Sequence, residues 1–316
     1  MKNKFSKIHP ALQPIANQSP KLLLSHKNLW LIKWLLNWTP APKTPADILI
    51  KNVFITAQDE QTKIRLRIYQ SKSITTPTPV LIWLHGGGYV MGKPEMDDLQ
   101  CAQYARELGI SIVSVDYRYA PRHPFPTGLE DSYSALKWVE SHAQQLGIDA
   151  KRIAIGGSSA GGGLAAALVQ LTHDRQAIRP VFQLLVYPML DDRTVLRTDL
   201  DDSDSFTWPQ ESNRFGWEAY LGQKCGADDT PAYSVPARRA DLAGLPPAWI
   251  GVGTLDIFHA EDVAYAQRLQ ACHVECELYI VPGAFHGFDV LDPQLSIVQE
   301  FRKSQLTALK TYLCTE

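Results

Sequence analysis

Two adjacent serines, Ser158 and Ser159, lie among glycines in the stretch RIAIGGSSAGGGLAAAL, residues 152–168. A serine hydroxyl attacks a carbonyl carbon at neutral pH only if a base takes its proton and hydrogen-bond donors stabilise the resulting oxyanion. The chemistry to test for is therefore acyl transfer. The rest of the sequence would have to supply the base, an acid that orients it and the donors.

Ser159 is the better candidate nucleophile. Where a strand turns sharply into a helix, the residues two before and two after the nucleophile pack so closely that glycine is favoured, which gives G-x-S-x-G. Ser159 has Gly157 and Gly161 at these positions, whereas Ser158 has Ala160 at the second of them. We therefore predict that Ser159 is the nucleophile.

The same stretch has two other interpretations. Glycines and serines between a strand and a helix also form simple turns and helix N-caps, which this pattern alone leaves open. GGGLAA, residues 161–166, resembles a dinucleotide fingerprint, but that motif needs an acidic residue about 20 positions later, at the end of the next strand. The next apolar segment, VFQLLVY, has none, so no nucleotide cofactor is predicted.

The motif His85-Gly86-Gly87-Gly88 follows the apolar segment VLIWL. Successive glycines leave backbone amides bare and able to approach a ligand. In nucleophile-elbow enzymes such a loop forms part of the oxyanion hole, completed by the amide of the residue after the nucleophile, here Ala160. Each donor contributes about 10²–10³ in rate. A tight turn is the alternative, and His85 is expected to be structural in either case.

The acid and base should follow the serine in the order Asp/Glu then His, because loops after later strands deliver them. Asp256 follows the strand-like AWIGVG, and His286 follows CELYIVPG. Glu261 and Asp262 are alternatives, but we expect them to be exposed carboxylates near a helix N-terminus. His259 lies three residues after Asp256, too close to link that acid to a distant serine.

Two alternating segments, DILIKNVFI and KIRLRIYQ, predict adjacent antiparallel strands. Apolar runs alternating with helical stretches follow, which indicates an α/β fold with a mostly parallel sheet and helices on both faces. A helix is expected over 128–146, and a closing helix from about Pro293.

Two segments stand outside this alternation. Leu22 to Trp38 is predicted to be an amphipathic helix covering a pocket or a core. Leu190 to Lys224 is a long insertion of the kind that forms lids. Its acidic run DDSDS is expected to be a solvated turn, and its aromatic residues the inner surface of a cap: Phe206, Trp208, Phe215, Trp217 and Tyr220.

The composition excludes several classes of function. A net charge of −2 gives no basic field for nucleic acid. Five cysteines and no signal-peptide pattern favour a reducing, cytoplasmic location.

CHVEC, residues 272–276, lacks a second pair of metal ligands, so core packing is expected and no metal is predicted. Lys27 and Lys33 interrupt the N-terminal apolar stretch, so no membrane span is predicted, although attachment to a membrane surface stays open.

The motifs HGGG, YRYAPRHPFP, GSSAGG, GTLD and PGAFHGF occur in this order. From about Val53 onward the chain resembles the hormone-sensitive-lipase-like family of α/β hydrolases, bacterial esterase family IV. The resemblance implies an α/β-hydrolase fold with a helical cap and no cofactor. It implies that Ser159 is the nucleophile, His286 the base and Asp256 the acidic partner of that base. It also implies three hydrogen-bond donors to the oxyanion: Gly87, Gly88 and Ala160.

By the same resemblance, residues 1–45 and 190–225 would form the cap, and residues 46–189 and 226–316 the two parts of the core. Three departures stand out: Ser158 replaces the family's usual Asp, Arg122 replaces a Glu after YAP, and DIFHAE replaces the commoner D-P-L-x-D-E. None of them touches the three predicted catalytic residues. A plant receptor branch of the family lacks the catalytic histidine, and the presence of His286 argues against that branch.

The sequence thus predicts a serine carboxylesterase acting on small esters of short- to medium-chain acids through an acyl-enzyme, as a monomer or homodimer. Two alternatives remain: a non-catalytic protein that binds small molecules on the same scaffold, and an amidase or peptidase with the same triad.

Overall fold

The computed structural model describes residues 6–18, 23–74, 77–200 and 207–314. Leu22, Phe206 and the acidic run DDSDS, on which predictions were made above, lie outside these ranges.

An eight-stranded sheet with the order β1-β2-β4-β3-β5-β6-β7-β8 forms the centre of the described structure. Strand β2 is antiparallel to both of its neighbours, and all other adjacent pairs are parallel. The predicted α/β class is confirmed. The strands are β1 Ile48–Thr56, β2 Lys63–Ser71, β3 Thr78–Leu84, β4 Ser111–Asp116, β5 Ile148–Ser158, β6 Phe182–Val186, β7 Ala248–Gly253 and β8 Cys276–Val281.

Helices cover both faces of this sheet because the central strands are apolar on both sides. Every residue of β3, β6 and β7 is buried. Alternate residues of β3 enter two hydrophobic clusters, one packed under α4, α6 and α8 and the other under α3 and α9. The helices are α1 Gln13–Gln18, α2 Leu29–Trp38, α3 Asp98–Leu108, α4 Thr127–Ser141, α5 Ala143–Leu146, α6 Ala160–Arg175, α7 Gln210–Leu221, α8 His259–Ala271 and α9 Ser296–Leu313.

Three predicted helices differ in their limits. The helix expected over 128–146 is split at His142, which leaves the helical conformation with φ −108° and ψ 13°. The closing helix begins at Ser296 rather than near Pro293. The N-terminal helix begins only at Leu29. The side chain of Asn28 accepts a hydrogen bond from the Ser25 amide at 2.8 Å and donates one to the Leu23 carbonyl at 2.6 Å. Such side-chain bonds stabilise a turn in place of a helix.

Strand β8 lies at the edge of the sheet and is only partly covered. Cys272 and Cys276 pack against the first cluster, as predicted for CHVEC. Leu278 packs there too, whereas Ile280 is 40% exposed. Ile280 faces solvent at this edge, where β8 pairs only with β7 within the described sheet.

Candidate active site

Ser159 lies in the sharp turn between β5 and α6. Its backbone has φ +56° and ψ −121°, a conformation that a side chain disfavours. The surrounding backbone holds it there: the Ser159 amide donates to Val186 O at 2.9 Å, and the Ser159 carbonyl accepts from Gly163 N and Met189 N, both at 3.0 Å. The hydroxyl is thereby presented at the carboxyl edge of the sheet.

The glycines that flank Ser159 are required by packing. A Cβ on Gly157 would lie 2.6 Å from Leu84 O and would also overlap the Gly161 carbonyl. A Cβ on Gly161 would overlap the carbonyl oxygens of Leu84 and His85. These contacts are with backbone atoms, so a side chain would force the turn away from β3.

A chain of hydrogen bonds joins Ser159, His286 and Asp256. Ser159 Oγ lies 2.9 Å from His286 Nε2, and His286 Nδ1 lies 2.7 Å from Asp256 Oδ2. The other oxygen, Asp256 Oδ1, accepts the amide of Phe258 at 3.0 Å. An imidazole that donates from Nδ1 to the carboxylate has Nε2 free to accept the serine proton. All three side chains are buried.

The topology brings these residues together. Ser159 follows β5, Asp256 follows β7 and His286 follows β8, and these strands run parallel with only β6 between β5 and β7. Their carboxyl ends meet at one edge of the sheet, where α/β folds bind ligands. Ser158 is the last residue of β5, and no hydrogen bond links it to His286 or Asp256 in the described ranges.

The alternative acids are buried, not exposed as predicted. Glu261 accepts the Leu190 amide at 2.7 Å and a hydrogen bond from the Thr194 hydroxyl, so it anchors the start of the insertion. Within the described chain, neither oxygen of Asp262 has a hydrogen-bond partner, and burial raises its pKa well above the ordinary value. The expectation failed because helix α8 turns its first residues inward, towards the insertion.

His259 is not part of this chain of contacts. Its backbone amide donates to Asp256 O at 3.1 Å, and in the described structure no hydrogen bond joins its ring to Ser159. Burial lowers the pKa of its imidazole.

The glycine loop after β3 lies directly beside Ser159. A Cβ on Gly86 would lie 3.5 Å from Ser159 Cβ. Gly87 and Gly88 have φ of +127° and +60°. Among the described residues, the amides of Gly87, Gly88 and Ala160 have no hydrogen-bond acceptor. Three bare N–H groups thus occur on the two backbone segments that meet at the serine hydroxyl.

His85 has a structural position in this loop, as expected. Its ring is buried and stacks on Tyr117 with centroids 4.4 Å apart, and its Nδ1 lies 2.8 Å from Gly86 O. The Tyr117 hydroxyl donates to His85 O at 2.6 Å. Burial lowers the pKa of His85, which favours the neutral ring.

Aromatic side chains from the insertion cover the glycine loop. The Trp208 ring lies against Gly88 so closely that a Cβ there would overlap it. Tyr220 stacks on Tyr89 at 4.0 Å, and Trp217 lies 5.1 Å from the same ring. The Thr207 hydroxyl donates to the His286 carbonyl. The second half of the insertion therefore contacts both the glycine loop and the histidine loop.

The two predicted cap segments also contact each other. The Leu24 amide donates to Ser212 Oγ at 2.9 Å, and the His26 ring meets Phe215 edge-on at 4.8 Å. Phe215 thus faces the N-terminal segment, whereas Trp208 and Trp217 are buried.

Sequence reasoning missed the support behind His286. The Tyr187 ring meets the imidazole edge-on at 4.8 Å, and its hydroxyl donates to Asp289 Oδ1 at 2.7 Å. Phe258 packs edge-on at 5.0 Å. One available signal was that Tyr187 directly follows β6, the strand between those that carry Ser159 and Asp256. No group of three or more His, Cys, Asp or Glu side chains in the described ranges is arranged to hold a metal ion.

Comparisons with known proteins agree with this fold. A family model described as the alpha/beta hydrolase fold matches residues 81–290. Esterase LipI of Mycobacterium tuberculosis is 32% identical over 86% of this chain and 85% of its own length. Carboxylesterase NlhH of the same organism is 36% identical over 73% and 72%. Among solved structures, a bacterial heroin esterase aligns with a TM-score of 0.92 at 32% identity, covering 98% of this chain and 99% of its own.

Proposed function

The chain belongs to the hormone-sensitive-lipase-like family of α/β hydrolases and is a carboxylic ester hydrolase, and we propose that it works as a serine esterase on short- to medium-chain acyl esters. One observation carries the proposal. The 2.9 Å contact between Ser159 Oγ and His286 Nε2 is backed by the 2.7 Å contact between the other ring nitrogen and Asp256.

In the proposed mechanism, Ser159 Oγ attacks the ester carbonyl as His286 Nε2 takes its proton. Asp256 keeps the imidazole in the reactive tautomer and stabilises the imidazolium. The tetrahedral intermediate collapses, the C–O bond to the alcohol breaks, and His286 returns the proton to the leaving oxygen. Water then attacks the acyl-serine with His286 as base, which releases the carboxylic acid and restores the hydroxyl.

The oxyanion is proposed to form against the amides of Gly87, Gly88 and Ala160. Their N–H groups have no acceptor within the described protein, so they are available for charge that develops only in the transition state. The positive end of α6, which begins at Ala160, adds a modest favourable field at the same point.

Gly87→Ala is expected to lower kcat/KM by about 10²–10³, because the new Cβ overlaps the Met91 carbonyl and forces the donor loop away from Ser159. Gly147→Ala is the matched control. Gly147 also has a positive φ, +64°, but a Cβ there meets nothing within 4 Å, so only the backbone cost of about 1 kcal/mol is expected. Kinetics on p-nitrophenyl butyrate and thermal melts of both variants separate the two effects. Equal activities would rule out a catalytic role for this loop.

The aromatic cover over the loop supports an apolar acyl group as substrate. We expect kcat/KM for a series of p-nitrophenyl esters to peak at acyl chains of about four to eight carbons.

The protein treated with an organophosphate should acquire one adduct per chain, at Ser159. A folded protein inert to both reagents would indicate a binding protein, and faster cleavage of p-nitroanilides than of esters would indicate an amidase.

A further inference from the structure

Helix α2 is apolar over most of its surface, with Lys33 and Asn37 as its only polar residues, and only one of its apolar sides is covered. Leu29 is buried, and Ile32 and Leu36 pack against the first hydrophobic cluster. The opposite side, which we call the tryptophan face, consists of Trp30, Leu31, Trp34, Leu35 and Trp38, exposed by 67%, 42%, 52%, 53% and 72%. The helix was predicted to be amphipathic, whereas most of its exposed side is apolar.

The spacing makes this face continuous. The three tryptophans recur at every fourth residue, so they lie in one row along the helix. The rings of Trp34 and Trp38 are 6.0 Å apart. Soluble proteins scatter their exposed apolar side chains, and a contiguous patch marks an interaction site.

The charged residues around the tryptophan face indicate which kind of partner it contacts. Residues 1–46 contain seven lysines and no aspartate or glutamate, which gives this segment a formal charge of +7. Since the whole chain has a net charge of −2, the rest of the chain has a net charge of −9. Lys27 is exposed just before α2. At the other end, Lys43 is exposed and the Lys93 ammonium binds the Thr39 carbonyl at 3.1 Å. Cations therefore lie at both ends of an apolar face.

We propose that the tryptophan face docks on the surface of an anionic phospholipid bilayer, with α2 lying parallel to it. Tryptophan favours the boundary between headgroups and acyl chains, and neighbouring lysines are attracted to anionic headgroups. No helix in the described ranges is long and apolar enough to cross a membrane, and α2, at ten residues, is about 15 Å long. The helix therefore lies on the bilayer.

A second copy of the chain fits this face less well. A twofold dimer would place the same surface of each subunit against the other, which brings two lysine-rich, acid-free segments together. Bilayer docking instead pairs the lysines with phosphate. Docking would also fix the orientation of the active site relative to the bilayer. The segment before α2 is bonded to α7 through Leu24 and Ser212, and α7 packs on the glycine loop.

The test is co-sedimentation of the full chain with vesicles of phosphatidylglycerol and phosphatidylcholine, compared with phosphatidylcholine alone. Binding needs no catalysis, so its outcome is independent of the proposed function. The triple variant Trp30→Ser, Trp34→Ser, Trp38→Ser should lower the partition coefficient about a hundredfold. The control is Phe54→Ser, which is 64% exposed on β1 and points to the opposite side of the sheet from the cluster under α2. It should change binding less than about twofold.

Charge is tested separately. Lys27→Glu with Lys43→Glu should reduce binding to the anionic vesicles about tenfold, and the same reversal at Lys303 and Lys310 on α9 should have little effect. Wild-type protein left in the supernatant at low salt, or undiminished binding by the folded triple variant, overturns the proposal. A dimer in sedimentation velocity that the triple variant dissolves, without vesicle binding, would instead assign the face to a second copy.

Discussion

Ser159→Ala is expected to lower kcat for p-nitrophenyl butyrate by about 10⁴- to 10⁶-fold, because the only hydroxyl in contact with His286 Nε2 in the described structure is lost. The substitution leaves the turn intact, since alanine faces the same cost at φ +56° as serine does. Residual hydrolysis should come from binding and the bare amides alone.

The matched control is Ser158→Ala, one residue earlier at the end of β5, which is expected to keep most of the activity. Both variants should retain the wild-type circular dichroism spectrum and melting temperature. The reverse pattern, with Ser158→Ala inactive and Ser159→Ala active, would contradict the assignment of the nucleophile and the mechanism built on it.

Asp256→Asn is expected to lower kcat by about 10⁴. The reason lies in the two hydrogen bonds of this carboxylate. Asp256 accepts from the Phe258 amide with one oxygen and from His286 Nδ1 with the other. An asparagine that keeps its oxygen towards Phe258 turns its NH₂ towards His286. The imidazole must then carry its proton on Nε2, where it can no longer accept the proton of Ser159.

Asp262→Asn is the control for this experiment, since it changes a second buried carboxyl near Asp256. Its activity should stay within a few-fold of wild type. Burial raises the pKa of Asp262 and so favours its neutral form in the folded protein. Wild type therefore loses stability as the pH rises towards that raised pKa, and the variant does not. A larger loss of kcat in Asp262→Asn than in Asp256→Asn would make Asp262 the partner of His286.

The sequence was sufficient where a local rule determines the structure. Apolar runs separated by helical stretches predict a parallel sheet, because strands buried on both faces cannot alternate. The glycine spacing around Ser159 reflects backbone atoms that leave no room for a Cβ, so it is visible as a motif. The chain order then placed Asp256 and His286 after strands whose ends meet.

Contacts between distant segments were not visible in the sequence. Tyr187 and Asp289 are 102 residues apart and meet only because β6 and the loop after β8 end at the same edge of the sheet. The burial of Glu261 depends on the path of the insertion's first residues, since Glu261 accepts a hydrogen bond from the Leu190 amide. The sequence likewise predicts a helix at α2, but it cannot show that Trp30 and Trp38 are exposed in the described structure.

The segment at residues 207–208 has a consequence for how this enzyme evolves. Thr207 is bonded to the backbone of the residue that serves as the proposed base, and Trp208 rests on one of the proposed anion donors. A substitution in this segment therefore displaces the histidine loop and the glycine loop together. We expect selection at residues 207–208 to change turnover whenever it changes substrate binding, so the two properties do not evolve independently there.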